Sequence, residues 1–308
     1  MKKIITLIVT IFLLFSLSGC KNNNQNAGLS IISTNYPGYD FARAITKDMD
    51  DINVEMLLKP GSEMHDYEPT PQDIIKIKNS DLFIYVGGDS DEWISDILQN
   101  IDLSKTKVIK LMDLVDLEVE ELIEGMEDEG DDAEYDEHVW TSPINAITII
   151  NKLKDEIASI DESNKINYEN NANDYVSQLN DIDKKIRSVI ASAKRKELIF
   201  GDRFPLRYFT DEYNLTYYAA FKGCSDATEA SSKTISFLIN KVKSDNIPVV
   251  FHIEQSNGNI ANTIARETGV KVLEFASAHN ISQTDFDAGI TYVDIMNKNI
   301  EVLKEALN

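Results

Sequence analysis

Cysteine is almost missing from this chain of 308 residues: Cys20 and Cys224 are the two present. One thiol outside a leader cannot form an internal disulfide, and a thiolate zinc site of the two-Cys or four-Cys type is excluded by count. Basic residues are also scarce. Fifty-two Asp and Glu stand against 30 Lys and Arg, a formal charge of −22. Such a field repels nucleic acid and anionic membrane and attracts cations over a range set by salt, although it serves solubility equally well. The chain has no HExxH, no GxSxG elbow and no GxxxxGK[ST] phosphate loop. These absences weigh against a secreted metallo-hydrolase and against a chain that hydrolyses ATP itself. Residues 4–15 are apolar but too short for a comfortable span, and no other stretch is long and apolar enough to cross a membrane. What remains is ample for folding: 43% of residues are hydrophobic, enough to fill the cores of two ordinary domains.

The N-terminus is the most specific local signal. Lys2 and Lys3 form a basic region, Ile4 to Phe15 an apolar run too short for a comfortable span, and Leu17-Ser18-Gly19-Cys20 follows. Small residues before a cysteine resemble the bacterial lipobox, so residues 1–20 read as a lipoprotein signal peptide in which the thiol of Cys20 takes a diacylglycerol and becomes residue one. Residues 21–27, KNNNQNA, read as a flexible tether.

Beyond the tether, short β-type runs alternate with helical spacing. Strands are expected at 30–34, 54–58, 81–86 and 108–111, and again at 197–200, 217–220, 249–253 and 270–275. Helices are expected at about 142–157, 228–244, 259–268 and 292–307. This alternation predicts an α/β fold with mostly parallel sheets and crossover helices. Residues 118–137 are acidic with little apolar content and read as a solvated loop. Within 162–195, Ala172, Tyr175, Val176, Leu179, Ile182, Ile186, Val189 and Ile190 recur at steps of three and four without Pro or Gly. That predicts one long amphipathic helix, with a two-helix hairpin as the alternative. The expected organisation is therefore an N-terminal lobe at 28–160, a linking helix at 161–196 and a C-terminal lobe at 197–308.

Four histidines are present. His65 lies between a strand ending at Leu58 and a helix started by Thr70-Pro71, the edge where open α/β sheets bind ligands. His138 precedes a second such start, Ser142-Pro143, with Trp140 able to pack behind its ring. His279 follows the strand at 270–275. His252 lies inside an apolar strand and reads as a hydrogen-bonded core residue, with Glu254 pointing the same way. Asp202 follows the strand at 197–200 and, beside Arg203, also reads as a structural ion pair. Each loop histidine has a competing reading as an ordinary surface residue. Together, three histidines and two acids end strands in both halves, as a cleft site shared by two lobes would need. Imidazole nitrogen completed by carboxylate suits zinc.

PGSEMHDYEPTPQDI, DLFIYVGG and EHVWTSPINA resemble the zinc-uptake branch of the ABC-transporter solute-binding proteins, the metal-specific cluster with a rigid helical backbone. GDRFPLRYF, AAFKGCSDATEAS and TYVDIMNKNIEVLKEAL are similar to the C-terminal lobe of Gram-positive members. The resemblance implies a lipid-anchored monomer on the outer face of the cell membrane, no enzyme, that binds Zn2+ and passes it to a permease driven by a cytoplasmic ATPase. His65 and His138 match the family's N-lobe ligands. The first C-lobe slot, His or Glu in relatives, falls at Gly201 with Asp202 next, and the late slot falls in Ala276 to Asn280. The implied metal set is His65, His138, His279 and Asp202, with Glu254 as a partner behind the ligands. A shell completed by Asp202 and Glu254 without His279 would favour Mn2+ or iron. The family's histidine-rich loop has no histidine here. A surface adhesin is a further alternative.

Overall fold

The computed structural model describes residues 28–65, 67–126, 134–225 and 229–308. The leader, Cys20 and the tether lie outside the described residues. Four short strands, β1 (Ser30–Ser33), β2 (Asn53–Met56), β3 (Leu82–Tyr85) and β4 (Lys107–Lys110), form a parallel sheet in the order β2-β1-β3-β4. Helices α1 (Tyr36–Ile45), α2 (Pro71–Asn79) and α3 (Ile94–Leu98) lie between them in sequence. The second half repeats the plan. Strands β5 (Glu197–Phe204), β6 (Thr216–Lys222), β7 (Val249–His252) and β8 (Lys271–Glu274) are parallel in the order β6-β5-β7-β8. Between the sheets run α4 (Pro143–Ile160) and α5 (Lys165–Ala191). The C-terminal half adds α6 (Arg207–Tyr213), α7 (Ser232–Ser244), α8 (Asn259–Thr268), α9 (Gln283–Asp287) and α10 (Tyr292–Leu307).

Local chemistry starts these helices where it should. The Thr70 hydroxyl accepts from the Asp73 N–H while the Asp73 carboxylate accepts from the Thr70 N–H, and Pro71 takes the first helical position. Ser142 caps α4 through the Ile144 and Asn145 N–H groups, and Thr291 with Asp294 repeats the reciprocal cap on α10. The long helix is shorter than its apolar pattern suggests. A 3₁₀ turn, Glu162–Asn164, precedes it, and α5 itself covers 27 residues, about 40 Å at 1.5 Å per residue. The larger departure is β5, which runs four residues past Phe200 through an irregularity between Phe200 and Arg203. Asp202 and Arg203 are thus inside a strand, not in a loop after one.

Successive strand residues face opposite sides. Ile31 belongs to a core that also holds Phe200 and Phe251 from the second sheet, Phe275 just after β8, and Leu179, Ile182 and Ile186 from α5. Ile32 faces a smaller outer core with Phe83, Ile77 and Ile94. The inner core is continuous across both sheets, so the long helix is packed into the body along one whole face. Asp40 ties that packing together. Its buried carboxylate accepts from Arg43 at 2.6 Å, from the Tyr175 hydroxyl and from the Tyr292 N–H at 2.9 Å, joining α1, α5 and α10. Burial pushes the Asp40 carboxyl up even beside Arg43.

Removing that carboxylate leaves buried donors unpaired. Asp40→Ala is expected to destabilise the fold by about 3–5 kcal/mol, the cost of breaking one side of a buried ionic cluster, read as a lower urea midpoint.

Candidate metal centre

The carboxyl ends of the two sheets face each other, and the candidate histidines emerge there. The Asn280 side chain donates to the carbonyls of Lys59 (2.9 Å) and Ser62 (2.5 Å), and the Gly61 N–H donates to Ile281 O at 2.7 Å. These bonds lay the loop carrying His65 against the loop carrying His279. The turn holding His138 is fixed the same way. Fully buried Trp140 donates to Ser277 O at 2.9 Å and contacts the His138 ring edge-on, and the Tyr208 hydroxyl donates to Asp136 O at 2.7 Å.

Each of the three histidines is held by its Nδ1. His138 donates from Nδ1 to Asp136 Oδ1 at 2.9 Å, and the same oxygen accepts from the His138 N–H at 2.7 Å. His65 Nδ1 lies 2.9 Å from Ser90 Oγ, whose proton goes to Glu137, so the serine oxygen accepts from the ring. His279 repeats the relay: Nδ1 lies 2.8 Å from Ser277 Oγ, which donates to Glu254 Oε1 at 2.8 Å. This pattern sets the tautomer. With Nδ1 protonated, every Nε2 keeps its lone pair. Buried His279 Nε2 has no hydrogen-bond partner. The rings of His65 and His138 are 5.8 Å apart, and donor atoms of His65, Glu137 and His138 lie within 4.8 Å of one another.

Electrostatics divide the pair. Burial, reinforced by the neighbouring His138 ring, pushes the His65 imidazole down to about 3. Burial acts the same way on His138, but the Asp136 carboxylate outweighs it and raises that imidazole above its ordinary value. Burial works to raise Glu254 too, yet His279 and its hydrogen bonds with Ser277 hold the carboxyl below the usual range.

Several placements depart from the sequence reading. Asp202 is not in the converging group. Its Oδ1 accepts from the Arg203 N–H at 2.9 Å and its Oδ2 from the Ile253 N–H at 3.4 Å. Gly201 offers no room for a ligand, because a Cβ there would lie 2.5 Å from the Ala261 backbone. His279 also lies outside that tight group, 3.7 Å from Glu63 Oε1. His252 is half-buried rather than core, with Nδ1 on Ile253 O at 2.9 Å. Asp136 and Glu137 end the acidic run yet are buried, so that stretch is not wholly a solvated loop. Ser90, Asp136, Glu137, Ser277 and Glu63 were not identified from sequence. Three of them, Glu63, Asp136 and Ser277, carried a readable sign, an acceptor two residues before a histidine. Gly88 carried another: a Cβ there would lie 2.0 Å from Glu137 Oε2, so this glycine makes room for that carboxylate.

A family model described as "Zinc-uptake complex component A periplasmic", ZnuA, matches residues 31–306. The chain belongs to the ZnuA family. It is 32% identical over 310 residues to the zinc-binding lipoprotein AdcA of Streptococcus pneumoniae, covering 99% of this chain and 61% of that protein's length. It is 30% identical to the high-affinity zinc uptake system protein ZnuA of Bacillus subtilis, covering 97% of this chain and 96% of that protein. The crystal structure of the Zn(II)-bound ZnuA-like domain of S. pneumoniae AdcA superposes with a TM-score of 0.76 at 30% identity, over 91% of this chain and 99% of that one. The two four-stranded parallel sheets and the long helix are therefore the ZnuA-family fold, and the family is one of transport solute-binding proteins rather than an enzyme class. Among the described residues, no helix is long and apolar enough to cross a membrane.

The two imidazoles should titrate differently. In an NMR titration of the metal-free protein, His138 is expected to take its proton at a higher pH than free imidazole, and His65 to stay neutral through mild acid. Asp136→Asn should lower the His138 value. Because a metal needs neutral rings, affinity should begin to fall as pH drops through the His138 value, well before His65 takes up a proton.

Proposed function

We propose that this chain captures a zinc ion outside the cytoplasm and delivers it to a membrane permease powered by a separate ATPase. The observation carrying this reading is the common state of His65, His138 and His279: each has Nδ1 held by an acceptor, which leaves Nε2 as the nitrogen available to an ion, and the buried Nε2 of His279 has no hydrogen-bond partner. Three imidazoles favour zinc over manganese, and a closed tetrahedral shell leaves no position for activating water, so the site suits capture and not hydrolysis. Kinship with zinc-binding AdcA and the Bacillus zinc uptake protein supports the cargo. Anchoring through Cys20 fits a binding protein that must stay near its permease, and the net charge of −22 draws cations toward it.

Ligand losses should exceed losses of support. His65→Ala, His138→Ala and His279→Ala are each expected to weaken zinc binding by more than the roughly 10–100-fold that losing a supporting partner costs, whereas Glu254→Gln should fall inside that range. Competition against a chromophoric chelator measures both. Undiminished affinity in His65→Ala and His138→Ala would remove the site.

A further inference from the structure

The carboxylates around the three histidines differ in what their oxygens are doing. Glu137 accepts from the Ser90 N–H (3.2 Å) and hydroxyl, and lies 3.8 Å from His65 Nδ1, the nitrogen facing away from a shared ion. Glu254 accepts from the Ser277 N–H (2.6 Å), the Ser277 hydroxyl and the His279 N–H (3.1 Å). Asp202 spends both oxygens on main-chain N–H groups. Glu63 is different. Its Oε2 accepts from Arg203 at 2.6 Å, and its Oε1, which accepts from the Met64 N–H at 2.9 Å and at 3.5 Å from the His65 N–H, lies 3.7 Å from the unpartnered Nε2 of His279. Two ligands about 2.0–2.2 Å from one zinc are roughly 3.3–3.6 Å apart at tetrahedral angles. A nitrogen lone pair facing a carboxylate oxygen at that spacing is a repulsive arrangement, unless a proton or a cation sits between them.

We propose that Glu63 supplies the oxygen ligand of the metal, in place of Asp202, and that Arg203 positions it by holding its second oxygen. This rests on the three-histidine reading above. Glu63 comes from the loop after β2 and Arg203 from β5, so one carboxylate bridges the two halves of the molecule. It also stands between the Arg203 guanidinium and the cation, screening a repulsion that would otherwise weaken binding.

The test compares Glu63→Gln, Arg203→Met and Asp202→Asn for zinc affinity, with cobalt(II) as a spectroscopic probe. If Glu63 is a ligand, Glu63→Gln should weaken zinc binding at least about 10-fold more than Arg203→Met and change the cobalt visible bands, while Asp202→Asn stays within about threefold of the parent. Equal losses from Glu63→Gln and Arg203→Met, with parent-like cobalt bands, would make Glu63 a mere tether between the halves and overturn the proposal. So would a large loss from Asp202→Asn, a result that does not depend on the Glu63 variant folding. His65→Ala and His138→Ala run alongside separate the two claims. If both retain zinc, the histidine site fails; if both lose it while Glu63→Gln binds normally, Glu63 alone fails.

Discussion

An imidazole can present either ring nitrogen, and the bond made by one decides what the other can do. In this chain the decision is taken three times in the same way. His138 leans on Asp136 directly, and His65 and His279 each reach a buried glutamate through a serine. The two relays come from opposite halves of the molecule and use unrelated stretches of sequence. Each acceptor is itself held by main-chain N–H groups or buried beside them, so the rings have little freedom to turn. Preorganisation of this kind lowers the ordering cost that binding an ion would otherwise carry.

Orientation of the rings depends in turn on how the halves are fixed. The continuous inner core and the buried Asp40 cluster tie α1, α5 and α10 into one body. The loops at the sheet ends are then stitched across the cleft by Asn280, Gly61 and Trp140. A wide opening would break a core and several buried hydrogen bonds together. A body tied together in this way is not a pair of loosely hinged domains.

Glycine and charge patterns take on meaning only beside their neighbours. Gly88 closes a strand in the sequence, and in the fold its missing side chain is the space Glu137 occupies. The acidic run ends in two carboxylates that leave solvent for the interior, where Asp136 sets the charge preference of His138 and Glu137 supports His65. Arg203, an unpromising neighbour for a cation, is neutralised by Glu63 from the other half.

Much of this was written locally. Thr70-Pro71, Ser142-Pro143 and Thr291 with Asp294 announce helix starts because capping acts over three residues, and alternating apolar runs announce strands because pleating has a period of two. The same logic put His65, His138 and His279 in loops at strand ends, with the α/β class and a long central helix. What the sequence could not decide was which carboxylates accompany the histidines. Asp202 looked like a loop acid because the apolar run stops at Phe200, yet β5 continues past it through an irregularity, and its oxygens accept from the Arg203 N–H in the same strand and the Ile253 N–H just after β7. Ser90 and Glu254 reach their histidines from 25 residues away, and Arg203 reaches Glu63 from 140, by way of the sheet packing. Contacts at such separations have no local signature; they exist because two sheets share one core, and only the folded chain brings their ends together.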